Sequence, residues 1–171
     1  MNSNIELKKE EIIDLLQRCW MTHDGMWFYH CIREFGIQAA NRINKEAIKS
    51  LAPFEIDRMK KAIGIERKID TYEGLKYFFS RASKLFIPDF MNATFTFSDE
   101  NDLHWQFETQ NCFAYKGIKR IGVIDRYECG VIYRLQCWFD TLGLNYSVEP
   151  QVGKCLMLSN GTCSGIFKFI F

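Results

Sequence analysis

The sequence predicts an α+β fold in a single domain, with a helical part over residues 1–87 and a sheet-plus-helix part over residues 88–171. Two observations support this prediction. Apolar residues recur at helical spacing through the first half, and apolar and polar residues alternate strictly from "NATFTFS" (92–98) onward. We therefore expect a helical N-terminal half followed by an antiparallel β-β-α-β-β unit.

The stretch "EEIIDLLQRCWMTHDGMWFYHCIREFG" (10–36) predicts either one long helix or two helices broken near Asp24 and Gly25. Gly36 is the predicted C-terminal stop, because glycine adopts the left-handed conformation that commonly ends a helix. The residues in helical phase are Ile12, Leu16, Cys19, Trp20, His23, Trp27, Cys31 and Phe35.

Proline and glycine positions bound the next helices. Pro53 suits a first helical position and Gly64 suits the position after a helix end, which predicts a short helix over 53–63. Thr71 is a predicted N-cap for a further helix, which ends at Ile87 and Pro88.

The second half alternates between the two periodicities. "NATFTFS" and "LHWQFETQNCF" predict a hairpin across "DEND", and "VIDRYECGVIYRLQCWFDTLG" (123–143) predicts a helix capped by Gly143. "LNYSVEP" and "GIFKFIF" predict two last strands. The basic segment "KGIKR" (116–120) is interpreted as a solvated connection.

Composition excludes several classes of protein. With 22 basic and 21 acidic residues the net charge is +1, which gives no basic surface for nucleic acid. The start "MNSNIELKKEE" has no apolar leader, and no run is long enough to span a membrane. Seven cysteines without a secretory signal predict reduced thiols in the cytoplasm.

Five of the seven cysteines follow residue 111, and four of them are expected at one end of the predicted sheet. Cys112 is expected at the end of the second strand, Cys129 at the start of the last helix, and Cys155 and Cys163 on either side of a loop. Converging thiolates favour tetrahedral zinc. The spacing between them, eight residues or more, also fits buried structural cysteines or a redox pair.

The loop "CLMLSNGTC" (155–163) discriminates between these interpretations. In a tight hairpin turning at Asn160 and Gly161, Cys163 would face Leu158, about 10 Å along the strand from Cys155. The metal hypothesis therefore predicts a wider loop, for example a helical turn after Cys155.

Residues 128–171 resemble the 4-vinyl reductase domain superfamily, through the helix that begins near Cys129, the strand "NYSVEP" and the Cys155-x7-Cys163 spacing. The resemblance implies a small ligand-binding module with zinc held by Cys129, Cys155, Cys163 and a glutamate. Residue 152, where that glutamate is expected, is Val; Glu149 is the nearest acid, and Cys112 competes for the role of fourth ligand. The segment "WMTHDGMWF" (20–28) resembles uncharacterised prokaryotic cytosolic proteins related to L-2-amino-thiazoline-4-carboxylate hydrolase-like sequences.

The chain has 15 Phe, 7 Tyr and 4 Trp, enough to fill a bulky core or to line an apolar pocket. We predict a pocket between the helices and the sheet for a small apolar or aromatic ligand. Its predicted walls are Phe79, Phe95, Phe97, Trp105 and Trp27.

The leading prediction is a cytoplasmic small-molecule-binding domain with a structural zinc. Two alternatives remain: a hydrolase or thiol-dependent enzyme with one low-pKa cysteine, and a dimerising module that presents Trp20, Trp27 and Phe28 to a partner. No catalytic residue is assigned. Cys19 and His23, four residues apart on a helix, are a weaker metal pair, and His104 is a weaker catalytic candidate.

Overall fold

A computed structural model describes residues 6–171, so residues 1–5 of the predicted polar N-terminus lie outside the described part. Helix α1 spans Lys9–Ile63 but is interrupted at Gly36, whose φ of 78° and ψ of 165° are not helical. The side chain of Arg134 contacts both the ring of Trp20 and the carboxylate of Glu55. In a straight helix those two residues would be about 50 Å apart. The helix therefore folds back at Gly36 into an N-terminal limb (9–35) and a C-terminal limb (37–63).

The predicted stop at Gly36 is confirmed, and the alternative break near Asp24 and Gly25 is wrong because the helix runs through both. The prediction that Pro53 starts a separate helix is also wrong, since Pro53 lies inside the C-terminal limb. One missing N–H is outweighed there by packing, because the limb buries its neighbours Ala52, Ile56 and Met59. Gly64 ends the helix in the left-handed conformation, as predicted.

Helix α2, Tyr72–Phe86, confirms its predicted boundaries. The Thr71 side chain accepts a hydrogen bond from the backbone N–H of Gly74 at 3.2 Å, which caps the first turn. The helix ends before Ile87 and Pro88, and a short 3₁₀ turn at Asp89–Met91 leads into the sheet.

Four antiparallel strands form one sheet in the order β1-β2-β4-β3. The strands are β1 (Ala93–Phe97), β2 (Asp102–Phe107), β3 (Asn145–Glu149) and β4 (Cys163–Ile170). Alternate residues of β2 and β4 are buried, so one face of the sheet packs against the helices while the other carries exposed side chains such as His104. The predicted α+β class is confirmed.

Three further helices complete the fold: α3 (Phe113–Arg120), α4 (Gly130–Thr141) and α5 (Leu156–Ser159). The interpretation of "KGIKR" as a loop is wrong, because it forms most of α3, where Ile118 is buried. The helix predicted from residue 123 begins only at residue 130. Cys112 does not end β2 but precedes α3. Within residues 6–171, no helix combines the length and apolar character needed to cross a membrane.

Candidate metal centre

Four cysteines line one small cavity of about 10 Å³: Cys112, Cys129, Cys155 and Cys163. All four are buried, and three of them are the N-cap residues of α3, α4 and α5, while the fourth opens β4. A volume of about 10–15 Å³ holds one water-sized particle, so this cavity is of the size of a single atom and not of an organic ligand.

The fold itself brings these cysteines together at one end of the sheet. Cys163 pairs with Phe107, the last residue of β2, so β4 begins where the chain leaves β2 towards Cys112. The backbone N–H of Cys129 donates to the carbonyl of Gly153 at 3.1 Å, which ties the start of α4 to the segment before Cys155. The β-β-α-β-β order predicts that these cysteines converge, and in the structure all four line one cavity; their convergence on a metal ion stays a prediction.

The segment between Cys155 and Cys163 is not a tight hairpin. Helix α5 follows Cys155 directly, and the backbone N–H of Ser159 donates to the Cys155 carbonyl at 3.2 Å. Gly161 then turns the chain into β4 with a φ of 75°. The segment is therefore the wider loop that the metal hypothesis predicts, with a helical turn after Cys155.

Burial raises the pKa of three of these thiols and so keeps them protonated at neutral pH. Desolvation raises the pKa of Cys129 to about 11 and that of Cys163 to about 12, and it also raises the pKa of Cys112. The mutual repulsion of the thiolates adds to the increase. A cation between the sulfurs would remove both penalties, because it neutralises the charges that burial and proximity disfavour.

Several N–H groups already face the sulfurs. The backbone N–H groups of Ala114 and Tyr115 lower the pKa of Cys112, and those of Val131 and Ile132 lower the pKa of Cys129. In both cases this effect is smaller than the increase caused by burial. These groups belong to the first turns of α3 and α4, where backbone N–H groups have no helical partner. They are placed to stabilise thiolate ligands.

The indole N–H of Trp105 provides a separate observation. Trp105 is only 1% exposed, and its Nε1 is the buried side-chain nitrogen without a hydrogen-bond partner in the described part of the chain. It lies near enough to the Cys163 sulfur to lower the pKa of that thiol. A buried donor without a partner costs about 1–3 kcal/mol, which a thiolate acceptor would recover.

As placed, the side chains do not form a ready metal site. Across residues 6–171, no three His, Cys, Asp or Glu side chains stand close enough together to hold a metal ion. Tetrahedral zinc with Zn–S bonds of about 2.3 Å requires sulfurs about 3.8 Å apart, so the thiols would rotate inward on binding. The predicted weaker pair, Cys19 and His23, is exposed on the N-terminal limb.

Of the two candidates for a fourth ligand, Cys112 lines the cavity and Glu149 does not. The Glu149 side chain is 63% exposed, and its carboxylate pairs with Lys168 at 3.1 Å. The placement of the residues therefore favours a set of four cysteines.

Sequence reasoning missed the residues that position Cys129. Asn41, buried in the C-terminal limb, donates from Nδ2 to the Arg126 carbonyl at 2.9 Å and accepts from the Glu128 N–H at 3.3 Å. The Tyr127 hydroxyl accepts from the Gly130 N–H at 3.0 Å. The Asn41 contacts link residues more than 80 positions apart, and no local pattern signals them.

Four of the five predicted aromatic walls lie in or against the core, where they are packed against other rings. Phe79 contacts Phe95 and Phe97 with ring centroids 5.3 and 5.9 Å apart, and Trp105 lies 4.8 Å from the ring of Phe167. Trp27 is 63% exposed on the N-terminal limb. The rings thus form a core cluster, and ligand binding there stays a prediction.

His104 lies on the exposed face of the sheet. It borders a shallow groove of about 330 Å³ with Thr94, Thr96, Gln106 and Ser164 among its other walls. Catalysis by His104 also stays a prediction.

Comparison with protein families places the chain in a class without an assigned activity. Residues 5–136 match a family described as "Family of unknown function (DUF6125)", and the chain therefore belongs to this family. The match includes Cys112 and Cys129 and ends before Cys155 and Cys163. Neither a 4-vinyl reductase family nor a thiazoline hydrolase family is found. No curated protein and no solved structure matches the chain.

Proposed function

We propose that this chain is a zinc-stabilised domain in which Cys112, Cys129, Cys155 and Cys163 hold one structural zinc ion. The observation that carries the proposal is the single-atom cavity lined by all four thiols. Four sulfur donors in a tetrahedral set are typical of closed structural zinc sites, whereas catalytic sites keep a position open for water. The resemblance of residues 128–171 to 4-vinyl reductase domains implies three of these four ligands, Cys129, Cys155 and Cys163.

The local chemistry fits a zinc ion held by thiolates. Buried N–H groups face two of the sulfurs, and the Trp105 indole near Cys163 lacks an acceptor. Hydrogen bonds from such groups orient metal ligands and stabilise their charge. Binding would release protons from Cys112, Cys129 and Cys163, whose raised pKa keeps them neutral in the metal-free protein.

Zinc in this cavity would crosslink four segments that few other contacts join. Helix α5 is four residues long, and α3 follows a loop after β2. The metal would fix the starts of α3, α4 and β4 to one another. We therefore expect metal removal to loosen this end of the sheet while the α1–α4 packing persists.

Metal content decides the proposal. The tag-free full chain, purified without added zinc, is expected to contain about one zinc per molecule. Cys129→Ser is expected to lose the metal, whereas Cys137→Ser, which alters a buried thiol away from the cavity, is expected to keep it. Less than about a tenth of an equivalent in the unaltered chain would contradict the proposal, whatever the variants do.

Fewer observations support the other functions that the sequence predicts. A reducing cytoplasm suits the seven free cysteines. Binding of a small apolar ligand would require the packed rings around Phe79 to separate. A dye that fluoresces in apolar sites tests this, since the native chain should bind it stoichiometrically if a pocket opens.

A thiol enzyme that uses one of these three cysteines is disfavoured, because burial raises the pKa of Cys112, Cys129 and Cys163.

A further inference from the structure

The N-terminal limb of α1 has two apolar faces, and only one of them packs on the protein. Met21, Phe28 and Ile32 pack against the core. At about 100° per residue, a second apolar row lies on the opposite side of the helix. This row, here termed the outer stripe, consists of Ile12, Leu16, Cys19, His23, Met26 and Trp27.

The outer stripe is exposed along its whole length. Leu16 is 61% exposed and Trp27 is 63% exposed. The row continues over about 22 Å of helix, and all of its members except His23 are apolar side chains or a thiol. Scattered apolar residues are normal on a surface, but a continuous apolar patch of this kind marks an interaction site.

The charges at the two ends of the stripe indicate which partner fits. Lys9 and Glu11 lie at the N-terminal end, and Arg33 and Glu34 lie at the C-terminal end, all exposed. In an antiparallel pair, Lys9 of one copy faces Glu34 of the other, and the same register places Leu16 opposite Trp27. Glu11 and Arg33 then lie within one residue of facing each other. A parallel pair in register would instead place like charges together. The pattern is therefore self-complementary in the antiparallel arrangement.

We propose that two copies of this chain associate through the outer stripe as an antiparallel pair of N-terminal limbs, related by a two-fold axis near residues 21 and 22. Apolar contact supplies the affinity, and the end charges set the direction. This surface lies on α1, away from the cysteine cavity, so the proposal does not depend on zinc.

Sedimentation equilibrium of the full chain tests the association. At about 100 μM, well above a micromolar Kd, we expect a mass of about 40 kDa, twice the 20.2 kDa of one chain. Leu16→Glu should weaken the dimer at least about 10-fold. Phe54→Glu, at a similarly exposed position on the other limb, should not. A monomer throughout, or a dimer insensitive to Leu16→Glu, would overturn the proposal.

A charge exchange tests the antiparallel direction. Lys9→Glu and Glu34→Lys should each weaken self-association, because each places like charges opposite each other in the antiparallel pair. The double variant Lys9→Glu/Glu34→Lys should associate as the unaltered chain does, because both pairs are again complementary. Double-variant association no stronger than that of the single variants would contradict this direction.

Discussion

Replacing Trp105 with Phe separates the role of its indole N–H from that of its bulk. The Trp105 N–H is buried without a partner, near the Cys163 sulfur. In the metal-free protein the substitution removes an unsatisfied donor but leaves a small void. In the zinc form it removes, in addition, a hydrogen bond to a thiolate, worth about 1.5–3 kcal/mol.

The void lowers the free energy of unfolding by the same amount in the metal-free and zinc forms. The difference between the two losses therefore reports the hydrogen bond to the thiolate. We expect Trp105→Phe to weaken zinc affinity about 10- to 100-fold, the range typical of residues that support metal ligands. Competition with a chromophoric chelator measures the affinity, and urea unfolding with and without zinc gives the two free energies of unfolding.

Trp138→Phe is the matched control. Trp138 is as deeply buried, but its indole N–H donates to Glu55 at 2.6 Å, and it does not line the cysteine cavity. This variant should lose stability equally in both forms and keep its zinc affinity. The reasoning is refuted if the two tryptophan variants change zinc affinity by the same factor.

Three further predictions concern the stability of the chain in urea. Glu55→Ala should cost about 3–5 kcal/mol, because it strands the guanidinium of Arg134; a loss below about 1 kcal/mol would contradict a buried ion pair. Gly165→Ala should lower the free energy of unfolding by at least about 1–3 kcal/mol, because a Cβ there would lie 2.3 Å from two ring carbons of Trp105. Gly153→Ala is the control and should be well tolerated, because a Cβ at residue 153 meets no atom within 4 Å. Metal-free protein should lose about 2–3 kcal/mol as the pH rises from about 9 to 11, since Cys129 ionises freely only when unfolded; unchanged stability over that range would show that the thiol is not desolvated.

The sequence predicts most of the elements because local signals determine them. The Thr71 cap, the alternation from Ala93 to Phe97 and the Gly36 interruption are each visible in a short window. The prediction that a separate helix starts at Pro53 was wrong, because the tertiary packing of neighbouring residues outweighs the one hydrogen bond that proline removes. The return of the N-terminal limb onto Arg134 depends on a long-range contact that no window contains.

The candidate metal centre was partly predictable for the same reason. A shared metal ion at Cys155 and Cys163 predicts a loop wider than a tight hairpin, and α5 provides such a loop. The place of Cys112 was mispredicted because the predicted second strand extends over "LHWQFETQNCF", whereas β2 ends at Phe107 and Cys112 precedes α3. The support from Asn41 links residues more than 80 positions apart, and it became visible only in the structure.

The coordination of the bound metal tests the central claim most directly. X-ray absorption at the zinc edge, on the full chain as purified, reports the number and type of ligands. Four thiolates predict four sulfur neighbours at about 2.3 Å. A shell containing nitrogen or oxygen at about 2.0–2.1 Å, or fewer than four sulfurs, would contradict a site built from Cys112, Cys129, Cys155 and Cys163.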